Sequence, residues 1–325
     1  MRVTEHNNYE TIRDSISRSK GRMDTLQRQS STLKKLNTPS DDPIGSAKVL
    51  EIRTDKVNND QFQMNSKMAE TFLTNTDHAL SELADIVVRA KEIAIGQSSR
   101  ASSNDETRLG VAEEVTQLFK QAVATANRRI GDRYLFGGYK TNKPPVAPDG
   151  KYVGDQGEMM VEIAREVYLA TNVPGSSAFN TKAVPPDDTQ VGEKGETPGQ
   201  GRGPASDPDA PQAENINVFN ELQNLRISLL TGDLDGIRGT LERFDQMHGS
   251  LIASRAKVGS RLMGLQSTSQ ALERHNVTNA QLSSVLEDAD MAQVVSDLAK
   301  EETVFRSSLA SSQKLIQPTL MDFIK

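Results

Sequence analysis

Cysteine and tryptophan are both absent from this 325-residue chain, and aromatic residues make up only 4% of it. Without cysteine there are no disulfides and no thiolate metal ligands. Scarce aromatics, with a hydrophobic fraction of 35%, are poor material for one wide core, because large side chains supply most of the area a core buries. Narrow helical packing suits this composition better, since each helix buries only a stripe. No stretch approaches the roughly 18 apolar residues of a membrane span, so membrane insertion is not expected. The start, MRVTEHNNYETI, lacks the apolar run of a cleavable signal peptide. The net charge of -6 comes without the basic face that phosphates require, which argues against nucleic acid and anionic membranes as partners. A cysteine-free chain suits a reducing cytosol and equally a protein exported unfolded; composition leaves both open.

What is present is helical periodicity at both ends. Tyr9, Ile12, Ile16, Ser19, Met23, Leu26, Ser30 and Leu33 step by alternating threes and fours, the spacing of a heptad seam. Over 24 residues that seam predicts a rod of roughly 36 Å. Its flanks are polar, so the helix needs a partner to be stable. Met291, Val295, Leu298, Glu302, Phe305, Leu309, Ser312 and Ile316 repeat the pattern at the other end, until Pro318 removes a backbone donor. The two end segments are expected to pack together. Ile12, Ile16, Met23, Leu26 and Leu33, with Leu298, Phe305, Leu309 and Ile316, are the candidate assembly-interface residues.

Further helices are expected between these ends. Asp42 is a good N-cap and Pro43 fits the first helical position. A long helical pattern follows to about Ile95, through Ile44, Leu50, Ile52, Val57, Met64, Met68, Leu73, Leu80, Leu83, Val87 and Ile93. Helices are predicted over 105–130, 216–230 and 234–285. The middle differs in kind: ten of the thirteen prolines fall between 131 and 215. Val161/Ile163 and Val167/Leu169 alternate with polar neighbours, predicting a short hairpin. The stretch 183–213 is too rich in Pro, Gly, Asp and Gln to offset its ordering entropy, and is expected to be a mobile loop. The expected organisation is mainly α: a rod-like antiparallel helical or coiled-coil core from both chain arms, with a β-containing insert domain at its distal end. The segments are an arm at 1–40, helical core at 41–137, insert at 138–215, helical core at 216–285 and a second arm at 286–325.

No catalytic, cofactor or metal constellation can be argued. His6, His78, His248 and His275 are isolated and read as surface histidines. Glu287, Asp288 and Asp290 could bind a cation, but acids there fit the start of a helix better. Asp41 and Asp42 likewise read as caps rather than paired catalytic carboxylates. Met64, Met68, Met247, Met263 and Met291 fall at helical spacings and read as core filler.

Three stretches carry a resemblance. Leu36-Asn37-Thr38-Pro39-Ser40-Asp41-Asp42-Pro43-Ile44-Gly45 is similar to the N-terminal signature of the flagellin family. Leu286 to Ala292, with Glu287, Asp288 and Asp290, followed by Leu298 and Ser307-Ser308-Leu309, resembles the C-terminal signature. Arg133 to Thr141, and the strand region through Gly175, resemble the branch of that family found at hook–filament junctions. Asp41, Asp42, Pro43, Gly45, Glu287, Asp288 and Asp290 are the family-motif residues. Filament flagellins commonly have Ala-Ala-Gly where this chain has Pro43-Ile44-Gly45. The resemblance implies a non-enzymatic subunit of the bacterial flagellum, exported unfolded by the flagellar type III apparatus and located outside the cell. It implies that the terminal segments are disordered in the free subunit. Implied partners are sister copies in a ring, an adjacent hook-associated protein, flagellin or a neighbouring filament subunit, and an export chaperone at the C-terminal helix. A filament flagellin, or from another class a cytosolic coiled-coil scaffold, is the alternative. The capped, proline-punctuated arms and the β insert argue against the scaffold.

Overall fold

The computed structural model describes residues 2–99, 105–182 and 215–316. The fold is mainly α, as expected. Seven helices lie among these residues: α1 Arg2–Thr32, α2 Pro43–Gln97, α3 Asp105–Ala126, α4 Gly175–Phe179, α5 Val218–Thr231, α6 Leu234–Glu287 and α7 Met291–Ile316. Six short strands form three antiparallel pairs. These are β1 Arg129–Ile130 with β2 Arg133–Tyr134, β3 Met160–Ala164 with β4 Val167–Ala170, and β5 Asn180–Lys182 with β6 Asn215–Asn217. The 3.6-residue patterns predicted the long helices to within a few residues. The predicted loop at 183–213 lies outside the described residues.

The chain forms two compact units, one of residues 1–61 and 271–325 and one of residues 62–270. The division falls inside α2 and α6 rather than in a loop. In the second unit the core is built from α2, α3, α5 and α6, with Leu73, Leu80, Leu83, Val115, Leu222, Leu225, Phe244 and Leu251 buried. The few aromatics are concentrated here. Phe136 and Phe179 meet at a tilt of 59° with ring centres 4.9 Å apart, Phe179 and Phe219 meet edge-on at 5.4 Å, and Phe119 meets Phe219 edge-on at 6.5 Å. Such offset and edge-on contacts add to the area term. Val146, Ile163 and Val173 close on the same core. The β3–β4 hairpin pairs Val161 with Leu169 and Glu162 with Tyr168, with an irregularity before Ala164. It turns through Glu166 at a positive φ of 62°.

The hairpin and its approach are held by side chains that replace missing sheet partners. Buried Asn172 accepts from the Met159 N–H at 2.7 Å and donates to the Gly157 carbonyl at 2.9 Å. Arg261 on α6 donates to the Asn172 carbonyl and to Glu158. Asp155 accepts from the Tyr139 and Gly157 N–H groups. Those two backbone donors hold its carboxyl below the usual carboxylate range.

Several apolar residues of the helical patterns are on the surface. Ile44, Leu50, Val57, Met64 and Met68 are 50–74% exposed, and so is Met263. Of the five methionines read as core, Met247 is buried and Met291 half-buried. Spacing identified an apolar stripe correctly but did not say whether a second helix of the same chain would cover it.

Candidate assembly site

In the first unit α1 and α7 pack together. They run antiparallel, because Ile12 and Ile16 meet the far end of α7, near Ser308 and Ser312, whereas Leu33 meets Ala289 at its start. On α1 the seam is as read from Ile12 to Ser30: Ile12, Ile16, Met23, Leu26 and Ser30 are half-buried and Ser19 is buried, while the side chain of Tyr9 lies outside the described residues. Leu33 departs from it. It follows the last helical residue, takes a left-handed φ of 60° and is 56% exposed.

On α7 the register differs from the expected one at every second position. Met291, Leu298, Phe305 and Ser312 are half-buried, and Val294, Glu301 and Ser308 complete the row against α1. Val295 is 53% and Leu309 41% exposed, and Glu302 also faces solvent. The apolar stripe of α7 is therefore wider than α1 covers, and one flank stays open. The side chain of Ile316 lies outside the described residues. Glu301, not Glu302, is the acid in the seam. It accepts from Ser19 Oγ at 2.8 Å and from Arg22 Nη2 at 2.8 Å. Those bonds, first Arg22 and then Ser19, hold its carboxyl below the usual range.

The two signature stretches meet at one joint. The Lys35 N–H donates to the Glu287 carbonyl at 2.6 Å and the Ala289 N–H to the Leu33 carbonyl at 3.1 Å. Beside this bridge the Glu287 side chain, 5% exposed, accepts from Lys34 Nζ and from Arg53. The Arg53 Nε and Nη2 distances are 3.1 and 2.8 Å, and Ser283 Oγ adds a fourth donor. Burial alone would raise the Glu287 carboxyl. The Lys34 and Arg53 bonds outweigh it and hold the group below the usual carboxylate range. Glu287 is thus an ion-pair hub and not the helix cap its sequence suggested. Asp290 is the cap: its Oδ1 accepts from the Ala292 and Gln293 N–H groups that start α7. Asp288 sits in the bridge and accepts from Ser284 Oγ.

At the other stretch Asp42 is the expected cap, and Asp41 is not one. Asp42 Oδ1 accepts from the Ile44 and Gly45 N–H groups, and Pro43 occupies the first helical position. Asp41 Oδ2 accepts from Asn37 and Thr38 N–H and closes the turn before it. Gly45 is buried because the turn folds back on it: a Cβ there would lie 2.5 Å from Asp42 Oδ2 and 3.1 Å from Leu36 Cδ1. Sequence reading missed Lys34 and Arg53. Nothing in a linear pattern pairs two cations with a carboxylate more than 230 residues away.

Residues 3–141 match the family pattern described as the bacterial flagellin N-terminal helical region. That region holds α1, the capped turn and α2, the elements that receive Glu287. The chain is 23% identical over 320 residues to flagellar hook-associated protein 3 of Escherichia coli strain K12, covering 95% of each. It is 21% identical over 288 residues to a flagellin of Listeria monocytogenes, covering 89% of this chain and 86% of that one. The fold is shared with the flagellar junction protein FlgL from Legionella pneumophila, at a TM-score of 0.54 and 19% identity, covering 74% of this chain and 100% of that one. The flagellin-like region and the C-terminal signature are thus joined physically by Lys34, Arg53 and Glu287.

Proposed function

We propose that this chain is a structural, non-enzymatic subunit of the bacterial flagellum that forms the ring joining hook to filament. The observation that carries this reading is the incompletely covered pair α1–α7. Its seam is closed on one side only, and Val295 and Leu309 project from the open flank. Apolar ridges at heptad spacing are what a neighbouring helix packs against. In this reading Ile12, Ile16, Met23 and Leu26 hold the pair together with Leu298 and Phe305. Leu33, Leu309 and Ile316 meet sister copies, and the motif residues Asp41, Asp42, Gly45, Glu287 and Asp290 set the joint. The likeness to flagellar hook-associated protein 3 over 95% of both chains supports the junction role. The likeness to a flagellin keeps a filament subunit as the second reading.

The chain leaves the cell by flagellar export, with a chaperone on its C-terminal helix beforehand, and works outside it. Its neighbours are sister copies, an adjacent hook-associated protein and the first filament subunits. A Leu309→Asp change tests this. Leu309 is 41% exposed, so the subunit's melting temperature should be unchanged. Burying the carboxylate against a neighbour costs several kcal/mol, so hooks should be bare and flagellin should appear in the medium. Normal filaments on cells with this variant would contradict the role of the flank. Filaments that persist when the chain is deleted would favour the filament-subunit reading.

A further inference from the structure

The open flank of α7 has a counterpart on the other side of the same helix pair. Val295, Glu302 and Leu309 form a ridge, each one position after Val294, Glu301 and Ser308 in the row that meets α1. Lys300 and Ser307 stand one position before that row. One residue turns a helix by roughly 100°, so these two sets lie on opposite sides of the α1–α7 pair. The second side is a groove of two joined hollows. One, of about 630 Å³, is lined by Ile12, Ile16 and Val304, with Ser307 and Ser311 beside them. The other, of about 590 Å³, runs past Gly21, Thr25 and Leu26 and holds Arg18, Arg22 and Lys300 against Asp297 and Glu301. Lys300 lines both hollows and so marks the middle of the groove. A Cβ on Gly21 would meet nothing within 4 Å, so the groove is open there.

Ridge and groove agree in length, order and charge. The ridge spans about 21 Å, and α7 lines the groove from Asp297 to Ser312, about 22 Å. The ridge is apolar at both ends with an acid at its centre, and the groove has a cation at its centre. Set a second α7 parallel along the groove, with its Glu302 at Lys300. Because α1 runs the other way, with Arg22 at Glu301 and Leu33 at Ala289, Leu309 of the second copy then comes level with Ile16 and its Val295 with Leu26. Both charges are free to exchange partners. Lys300 bonds Asp297 and Glu302 faces Arg306 at 3.8 Å, all of them exposed, and such pairs are worth little. Resting on the ring reading above, we propose that the α7 ridge of one copy lies in the α1–α7 groove of the next, with Glu302 paired to the next copy's Lys300 and Leu309 seated on its Ile12, Ile16 and Val304. Each copy then offers one surface to the neighbour on one side and a different surface to the neighbour on the other. Contacts of that kind close into rings or run on as helical arrays, and here they keep every copy pointing the same way. A two-fold dimer through the ridge would set Glu302 against Glu302, which like charges oppose.

A charge swap tests the pairing. Residues two apart on a helix do not face each other, so Lys300 and Glu302 of one chain cannot rescue one another within it. In cells making the full-length chain in place of the wild type, Glu302→Lys or Lys300→Glu alone should lower the fraction of hooks that carry filaments by about tenfold or more, since like charges across an interface cost several kcal/mol. The double variant should restore that fraction. Engineered cysteines test the position, because the chain has none of its own. Leu309→Cys with Ser307→Cys in one chain should give a ladder of disulfide-linked copies when sheared flagella are mildly oxidised, and Ser307→Cys or Leu309→Cys alone should not. Normal filaments in both single charge variants, no rescue by the double variant, or dimers from Leu309→Cys alone would overturn the groove contact and leave the ring reading standing. Absence of the chain from sheared flagella would overturn both.

Discussion

Replacing Glu287 by glutamine keeps the shape of the joint and removes its charge. In the native state the carboxylate takes bonds from Lys34, Arg53 and Ser283. Hydrogen bonds to charged groups are each worth about 1.5–3 kcal/mol. The full sum does not apply here, because Lys34 and Arg53 are 42% and 58% exposed and recover hydration when the partner is lost. Glutamine also still accepts one bond and gains an amide N–H facing two cations. A net cost of about 2 kcal/mol follows, or roughly thirtyfold in an opening equilibrium. The readout is exchange of the Lys35 and Ala289 amides, which close the bridge beside the hub.

The cost has a fixed sign with pH. Glu287 is held below its ordinary value, so its contribution is present above the unfolded value of about 4.3 and lost as pH falls through the folded one. The gap between wild type and Glu287→Gln should therefore be full at pH 7 and close toward pH 3. A difference under about threefold at pH 7, or one that does not narrow in acid, would refute the view that charge and not shape holds the joint.

Two further outcomes follow. Leu33→Gly relieves a left-handed residue whose strain costs about 1–2 kcal/mol and adds back unfolded-state entropy of about 0.5–1 kcal/mol; the joint should be unchanged or slightly firmer by thermal melting. Assembly should still weaken, since the exposed side chain is gone. Gly138→Ala should lower the melting temperature sharply. Its φ is +68° and a Cβ there would fall 2.6 Å from the Asp155 carbonyl oxygen, backbone that cannot yield; a shift of less than a degree would contradict that reading.

Local chemistry was legible in the sequence. Asp42 and Pro43 begin a helix wherever they stand, because an oxygen acceptor and a fixed φ act within one turn. The three-four spacing from Ile12 to Ser30 chose one face of α1, and the alternation at 161–169 chose a hairpin. Tertiary structure alone decided what each stripe meets. On α7 a stripe wider than one partner holds both Val294 and Val295, and both Glu301 and Glu302; only the placement of α1 selects the first of each pair. Leu50 and Val57 belong to the helical pattern read from spacing, yet no helix of this chain covers them among the described residues. Glu287 became a hub because folding brings Lys34 and Arg53 to it from the far end of the chain. Periodicity is a property of one helix, whereas burial and charge pairing belong to two.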